Sequence, residues 1–369
     1  MWDFTCVTYN IMIPVIEPIR NNGQRRRISL LPTALYNMDK GIEKGIDVVC
    51  LQELIVPEYR STMLKEMAMF GWKHFSNPLN TTYRSGQIKL ASGGVVICSK
   101  HPILTQHQCV FETDCEAEDC AASKGVVYCR ILLPDKNIVN VFSTHFQAWH
   151  SQKARNIRYQ QALQTADFIK SMNIPDDEAL VFCGDANIDV YTRQSEIRQL
   201  MNTIGMELTP LDDDSHPFSS DPATNTMVGN DSPGMYSTVE YPNGCYSEYI
   251  ETGVCMCCPQ ELLDIFAYSV VHQPAYRASS RVHMIKTDEP FVMNFNIKTR
   301  KELHDLSDHY PLIGQFQWKN ACPFQNRDIK CGMKPFSNRM QWIFITIVII
   351  ICVAVLLFFI IKVVEASNS

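Results

Sequence analysis

The sequence predicts an α/β protein: a two-sheet sandwich with helices on both outer faces, hence four α/β/β/α layers, followed by one C-terminal transmembrane helix. Three observations predict this architecture. Short apolar runs that end in polar residues alternate with segments of helical periodicity. No G-x-G-x-x-G or G-K-[ST] loop is present, which argues against a dinucleotide-binding or P-loop fold. One uninterrupted apolar run lies close to the C-terminus.

Eight short apolar runs predict the strands of buried sheets. The predicted strands are 2–10, 46–52, 93–99, 126–133, 138–145, 179–185, 262–268 and 310–317. Helices are predicted between them, where apolar residues recur at i, i+3, i+4 and i+7 in 197–204, at similar spacing in 63–70, and as a looser stripe in 157–172. We interpret these stripes as core packing.

Composition and charge are those of a folded protein. Charged residues make up 20% of the 369 residues and hydrophobic residues 46%, ordinary values that exclude global disorder and fibrous repeats. The net charge is −6 and no basic stripe is visible, whereas proteins that bind nucleic acid electrostatically usually carry one. We therefore expect no nucleic-acid partner, and the sequence identifies no protein partner.

The 15 cysteines are too sparse for a disulfide scaffold. Five lie in apolar runs and are interpreted as small buried residues: Cys6, Cys50, Cys98, Cys129 and Cys183. Cys255, Cys257 and Cys258 lack a second C-x-x-C or a histidine pair nearby, so packing or a loop disulfide is favoured over zinc. Cys115 and Cys120 flank an acidic loop, and their redox state is left open.

The segment 343–361 contains no charged residue and predicts a transmembrane helix, because its length at 1.5 Å per residue covers about 28 Å. We expect one large domain over 1–319 with a surface insertion at 207–260. A juxtamembrane linker at 320–342 and a short tail at 362–369 would flank the transmembrane helix.

The orientation in the membrane is predicted from charge. Arg327, Lys330, Lys334 and Arg339 precede the apolar segment, and Lys362 follows it. With no secretory signal at the N-terminus, the positive-inside rule predicts a single-pass C-terminal tail anchor with the large domain in the cytosol. The pair Cys322 and Cys331 argues the other way, because disulfides persist in oxidising compartments. A glycan on Asn80, in N-T-T, would also contradict cytosolic facing.

Polar residues recur where the predicted strands end. They are Asn10 in V-T-Y-N, Glu53 in V-C-L-Q-E, His145 in V-F-S-T-H, Asp185 and Asn187 in G-D-A-N, Asp264 in L-L-D-I-F, and Asp308 and His309 in S-D-H. A single strand-terminal Asp or Asn is most often a turn residue. Six such sites at one end of a sheet form a far more specific set, and we expect them to converge.

These residue types suit the hydrolysis of a phosphate ester. Carboxylate and amide oxygens are hard ligands for Mg²⁺, which keeps coordination positions open for water and phosphate oxygens. A histidine paired with a carboxylate can remove a proton from water. Since no G-x-S-x-G motif and no reactive cysteine motif is present, direct attack by water is favoured.

In this order and spacing, the motifs resemble those of the endonuclease/exonuclease/phosphatase superfamily, which has the DNase-I-like fold, across residues 2–318. Within the superfamily the chain is more similar to neutral and bacterial-type sphingomyelinases. That similarity is carried by S-G-G-V at 92–95, S-K-H-P-I at 99–103, S-K-G-V-V-Y at 123–128, T-H-F-Q-A at 144–148 and N-T-M-V at 225–228.

The resemblance implies a divalent metal site, with Mg²⁺ as the cofactor and Mn²⁺ or Co²⁺ as substitutes. Glu53 would bind the metal with Asn10 beside it, and Asp308 would lie next to the same site.

The resemblance also implies the catalytic roles. Asp185 and Asn187 would hold and orient the attacked phosphate and the water. His309 would be the general base and Asp264 its orienting partner. His145 would stabilise the phosphate or assist the leaving alkoxide.

We therefore expect a membrane-anchored, Mg²⁺-dependent phosphodiesterase that hydrolyses sphingomyelin to ceramide and phosphocholine. Tethering raises the effective concentration of enzyme at a bilayer substrate. Four tyrosines of the insertion would dock at the membrane interface or simply pack within the loop: Tyr236, Tyr241, Tyr246 and Tyr249.

Two other readings stay open. One is a different phosphoesterase of the same fold: a lysophospholipid phospholipase C, an inositol-polyphosphate phosphatase or a nuclease. The P-x-W-C-D-R signature of the phosphatases is absent, and a nuclease would be expected to carry a basic groove. The other reading is a catalytically inactive membrane adaptor, against which stands the survival of every motif residue.

Overall fold

The structure is a computed structural model that describes residues 1–13, 23–80, 83–84, 87–89, 91–228, 260–294 and 300–321. The helices there are α1 (Gln24–Gly41), α2 (Pro57–Met69), α3 (Gln152–Ser171) and α4 (Gln194–Ile204), with a 3-10 turn at Ala117–Cys120. The strands are β1 (Trp2–Ile13), β2 (Val48–Leu54), β3 (His74–Phe75), β4 (Tyr83–Arg84), β5 (Gln87–Ile88), β6 (Val96–Ser99), β7 (Ile103–Val110), β8 (Gly125–Leu132), β9 (Ile138–His145), β10 (Ala179–Asp185), β11 (Met206–Leu208), β12 (Asp264–Ser269), β13 (Arg277–Val282), β14 (Lys286–Asn294), β15 (Arg300–Asp305) and β16 (Leu312–Trp318).

Two six-stranded sheets form the centre of the fold. The first has the order β13-β16-β1-β2-β6-β3 and the second the order β11-β12-β10-β9-β8-β7. Each contains one parallel pair, β1 with β2 and β9 with β10, between antiparallel neighbours. Because the carboxyl ends of parallel strands meet at one edge, each sheet brings two polar strand ends together.

The core is arranged in layers. Between the sheets, Phe4 and Phe316 pack with Val127 and Val181. On the outer face of the first sheet, apolar residues of α1 and α2 cover β1 and β2, and on the outer face of the second sheet those of α3 and α4 cover β9 and β10. Since the central strands are buried on both faces, their sequences are continuously apolar. The four-layer mixed α/β sandwich is thereby confirmed.

All eight predicted strands are present, and two have the predicted bounds, Ile138–His145 and Ala179–Asp185. The helix α1 was not predicted; it contains Pro32, which removes a backbone donor from a helix interior. The polar strands β7 and β13 to β15 were also missed. The predicted insertion 207–260 begins within a strand, because Glu207 and Leu208 belong to β11.

The cysteines in apolar runs are buried, as predicted, and Cys115 and Cys120 form a disulfide. Within the described ranges, no helix is long and apolar enough to cross a membrane. The predicted transmembrane segment 343–361, the tail 362–369 and most of the linker 320–342 lie outside those ranges, as do residues 229–259 of the insertion with its cysteines and tyrosines. Predictions about these segments stay predictions.

Candidate active site at one edge of the sandwich

The site lies where both parallel pairs end. In the first sheet, Asn10 of β1 lies opposite Gln52, directly before Glu53 of β2. In the second sheet, Asp185 of β10 lies between His145 of β9 and Asp264 of β12.

The loop from β15 to β16 carries the last two predicted residues, Asp308 and His309. The hydroxyl of Ser307 orders this loop, because it donates to the carbonyl of Asn10 at 2.7 Å and lies 3.0 Å from Oδ1 of Asp308.

Backbone geometry aims two of the side chains. Glu53 and Asn187 have φ values of 58° and 51°, in a region that non-glycine residues seldom adopt and that is often found at functional sites. The turn at Glu53 depends on Gly94, whose carbonyl accepts from the N–H of Leu54 at 3.1 Å. A Cβ at Gly94 would lie 2.4 Å from that nitrogen, so no other residue fits this approach.

Asn10 links the two sheets. Its Nδ2 donates to Glu53 Oε1 at 3.0 Å and to Asp185 Oδ2 at 2.9 Å, while its Oδ1 accepts from the N–H of Met12 at 3.1 Å. Asp185 Oδ1 in turn accepts from the N–H of Asn187 at 2.9 Å. One buried amide therefore holds the carboxylates of the two sheets in a fixed relation.

His309 lies among carboxylates. Its Nδ1 donates to Asp264 Oδ2 at 2.7 Å, and its Nε2 lies 3.9 Å from Asp185 Oδ2. Burial lowers the pKa of His309, but Asp264, Asp185 and Asp308 outweigh burial and raise it well above its usual value. Asp264 is positioned by Ser219, whose hydroxyl accepts from its N–H at 3.2 Å.

His145 contacts an ammonium group. The ammonium of Lys124 donates to its Nε2 at 2.8 Å and pairs with Asp119 at 3.0 Å. Nε2 of His145 also lies 3.5 Å from Asp185 Oδ2 and 3.9 Å from Glu53 Oε1. Burial and the charge of Lys124 lower the pKa of His145 well below its usual value, so its ring is neutral at pH 7.

The carboxylates fit a divalent cation. Burial, reinforced by Asp308, raises the pKa of Glu53 to about 7, and burial raises that of Asp185 to about 6 although His309 opposes it. Negative charge is thus crowded in a partly buried place where Lys124 and Asn10 compensate it only in part. Oxygen donors carrying excess negative charge are what Mg²⁺ requires, so Glu53 and Asp308 suit it as ligands, with Asn10 ordering Glu53.

All eight residues singled out in the sequence lie in this one network, and their individual roles stay predictions. Lys124 was missed as a site residue, although it lies in the S-K-G-V-V-Y stretch. It directly precedes β8, whose Gly125 pairs with His145, and it is almost fully buried. A lysine at a strand start is an unremarkable sequence feature, so only the pairing of β8 with β9 identifies it.

Comparisons with known proteins identify the family of the chain. The model of "Endonuclease/Exonuclease/phosphatase family 2" matches residues 7–214. Sphingomyelinase C of Bacillus cereus is 26% identical over 329 residues, covering 85% of this chain and 88% of that protein. Phospholipase C of Staphylococcus aureus is 26% identical over 322 residues, covering 84% of this chain and 86% of that protein.

Solved structures are similar over the same extent. A mutant beta toxin of Staphylococcus aureus, crystallised with bound magnesium ions, superposes with a TM-score of 0.67 at 26% identity and covers 86% of this chain and 100% of its own. Sphingomyelinase C of Streptomyces griseocarneus, at 23% identity, has a TM-score of 0.65 with coverage of 85% and 99%, and it supports the fold alone. This chain belongs to the endonuclease/exonuclease/phosphatase family of the DNase-I-like superfamily, and it is a hydrolase that acts on phosphodiesters.

Proposed function

We propose that this chain is a membrane-anchored, Mg²⁺-dependent phosphodiesterase that hydrolyses sphingomyelin to ceramide and phosphocholine. The observation that carries the proposal is the pair of histidines beside Asp185 and the Glu53 carboxylate, one with a raised and the other with a lowered pKa. The 26% identity to a sphingomyelinase C along most of both chains supports the lipid substrate.

His309 acts as the general base in this proposal. With Asp264 holding its Nδ1–H, Nε2 is the atom that takes a proton from the attacking water. The oxygen of that water forms a bond to phosphorus, the bond from phosphorus to the ceramide oxygen breaks, and the leaving alkoxide takes up a proton.

Asp185 and Asn187 orient the water and the phosphate. On the opposite side, Lys124 is the cation next to Asp185 and can neutralise a phosphate oxygen, while His145 holds its ammonium in place. Glu53 and Asp308 would hold Mg²⁺, with Mn²⁺ or Co²⁺ as substitutes. The ion, when bound, polarises the phosphoryl group and neutralises developing charge.

The anchor and its orientation are part of the proposal. Residues 343–361 would cross the membrane once as a tail anchor, with the catalytic domain 1–319 in the cytosol, because basic residues precede this segment. The disulfide between Cys115 and Cys120 is an observation against that orientation. Attachment of a glycan at Asn80 in cells would place the domain in the lumen instead.

The experiment is release of phosphocholine from sphingomyelin liposomes, with Mg²⁺ and then with EDTA. Wild type is compared with His309→Ala and with a matched control, His101→Ala. The control removes a histidine that also contacts a carboxylate at 2.7 Å, that of Asp47, away from the site. We expect Mg²⁺-dependent release that His309→Ala lowers by about 10³- to 10⁴-fold and that His101→Ala leaves unchanged.

Competing substrates test the alternatives. Phosphatidylcholine, lysophosphatidylcholine, an inositol phosphate and a DNA duplex are offered under the same conditions. Cleavage of one of these without phosphocholine release from sphingomyelin would keep the site and replace the substrate. Inactivity on all of them, in a folded protein, would favour the adaptor.

A further inference from the structure

Three cysteines meet in the core, on the three strands that carry Asn10, Glu53 and Asp185 at their ends. Cys6 of β1, Cys50 of β2 and Cys183 of β10 are fully buried between the sheets, and their sulfur atoms all lie within 4.8 Å of one another. Among the described residues, this is the one group of three His, Cys, Asp or Glu ligand atoms that close together. In the sequence each is a single cysteine in an apolar run, typical of a small buried residue.

One of the three sulfur–sulfur distances equals that between thiolates bound to one ion, and all three lie within 4.8 Å. The sulfur atoms of Cys6 and Cys50 are 3.9 Å apart. Three sulfurs bonded to one cation at about 2.3 Å lie about 3.8–4.0 Å from one another, whether the ion is tetrahedral or trigonal. The three side chains come from two different sheets, so the fold brings them together without a local sequence motif.

Polar groups lie around the sulfurs in an otherwise apolar core. The hydroxyl of Ser143, on β9, accepts from Gln52 Nε2 at 3.1 Å, and Gln52 Nε2 also lies 3.4 Å from the carbonyl oxygen of Cys50. Single buried cysteines elsewhere in the described ranges, such as Cys98 and Cys129, lie outside this group of three sulfurs.

We propose that Cys6, Cys50 and Cys183 form a buried binding site for one thiophilic d¹⁰ cation, Zn²⁺ in preference to Cu⁺. Thiolate ligands select these ions over Mg²⁺. Zn²⁺ leaves one net negative charge on three thiolates and Cu⁺ leaves two, so Zn²⁺ costs less in a dry core. This site is independent of the proposed function.

The test is the metal content of the full chain. Protein is purified in detergent from cells grown with added zinc or with added copper and is dialysed against EDTA. Its zinc and copper contents per chain are then measured by elemental mass spectrometry. We expect about one zinc per folded chain, released only when guanidinium unfolds the protein. Copper in place of zinc from both media would overturn the preference for Zn²⁺.

Variants locate the ion. Cys183→Ala and Cys50→Ala should each reduce zinc to below about one-tenth per chain, while the matched control Cys129→Ala keeps it. A triple alanine variant of Cys255, Cys257 and Cys258 should also keep it, which separates the core site from that cluster. Where a core variant fails to fold, cobalt substitution of wild type supplies a second measurement, a sulfur-to-cobalt charge-transfer band.

Three results would overturn the site. They are a folded wild type without stoichiometric zinc or copper, zinc that EDTA removes from the folded chain, and zinc that persists in folded Cys183→Ala. Each would make the three cysteines core packing alone.

Discussion

The two histidines of the site lie close to the same carboxylate oxygen, and their pKa values are shifted in opposite directions. Nε2 of His309 lies 3.9 Å and Nε2 of His145 lies 3.5 Å from Oδ2 of Asp185. Burial lowers the pKa of both rings, yet the pKa of His309 ends well above the usual value and that of His145 well below it. Since burial is common to both, the partner decides: a carboxylate for His309 and an ammonium for His145.

Two histidines at one edge of the sandwich therefore have different protonation behaviour, which suits them to different roles. Pairs of titratable groups whose surroundings drive their pKa values apart are typical of acid and base assignments in enzymes. A ring held by Asp264 retains a proton, as a base must after it has taken one from water. A ring that accepts from Lys124 cannot donate through the same nitrogen, so in the proposed function the Lys124 ammonium is the cation that would contact the substrate there.

The largest effect is expected on the His309 side. Asp264→Asn removes the carboxylate that raises the pKa of His309 and that fixes its Nδ1–H. We expect kcat/KM on sphingomyelin to fall by about 10³-fold, because the ring loses both its orientation and its tautomer. Without the negative charge the pKa of His309 falls, so the acid limb of the pH profile moves to lower pH. Steady-state kinetics across pH measure both effects.

The matched control for that change is Asp47→Asn. It alters the equivalent contact of His101, at the same 2.7 Å, outside the site. Its kcat/KM should stay within about threefold of wild type. An acid limb that does not move in Asp264→Asn would mean that Asp264 does not control the charge of His309.

A smaller effect is expected on the His145 side. Lys124→Ala removes the cation from His145, Asp185 and Glu53, which raises the pKa of all three groups. We expect kcat/KM to fall by about 10²-fold, since one positive charge near the phosphate is lost. The control is Lys89→Ala, whose ammonium donates to the carbonyl of Asp119 at 3.2 Å. Equal losses in both variants would remove Lys124 from the site.

Much of the fold could be predicted because the central strands are buried on both faces and read as unbroken apolar runs. Of the strands that were missed, β7 and β13 are partly exposed. In β7, which lies at a sheet edge, the residues are alternately half-buried and exposed over most of its length, and its sequence I-L-T-Q-H-Q-C-V has no apolar run. The helix α1 was missed because three consecutive arginines and Pro32 interrupt its apolar pattern in the sequence.

The site residues could be predicted because strand-terminal Asp, Asn and His are visible as breaks in apolar runs. The charge of each histidine could not, because it depends on contacts between residues far apart in sequence. His309 contacts a carboxylate 45 positions away, and His145 an ammonium 21 positions away. The convergence of Cys6, Cys50 and Cys183 was not predicted, because these residues too are far apart in sequence.

Glu53, beside His145, allows a third test through its affinity for metal. Its pKa of about 7 means that a proton competes with Mg²⁺ below that pH. We expect the dissociation constant for Mg²⁺ to rise about tenfold for each pH unit below about 7 and to level off above it. Calorimetric titration of wild type between about pH 5.5 and about pH 8 measures this. A constant affinity over that range would exclude Glu53 as the titrating ligand.

The smallest effect concerns stability. The pKa of Glu53 is higher in the folded chain than its ordinary value of 4.5, so folding loses stability as pH rises from about 4.5 through about 7. In EDTA at about pH 8, Glu53→Gln should therefore raise the free energy of unfolding by about 1–2 kcal/mol while it abolishes metal-dependent activity. The gain should vanish at about pH 4.5, where Glu53 is neutral in the folded state, and should shrink in saturating Mg²⁺, which stabilises wild type. Thermal unfolding of wild type, Glu53→Gln and the exposed control Glu302→Gln measures the difference. A Glu53→Gln variant that is less stable than wild type in EDTA at about pH 8 would contradict this prediction. It would show that neighbouring groups compensate the charge of the Glu53 carboxylate, so that burying it costs less than its raised pKa indicates.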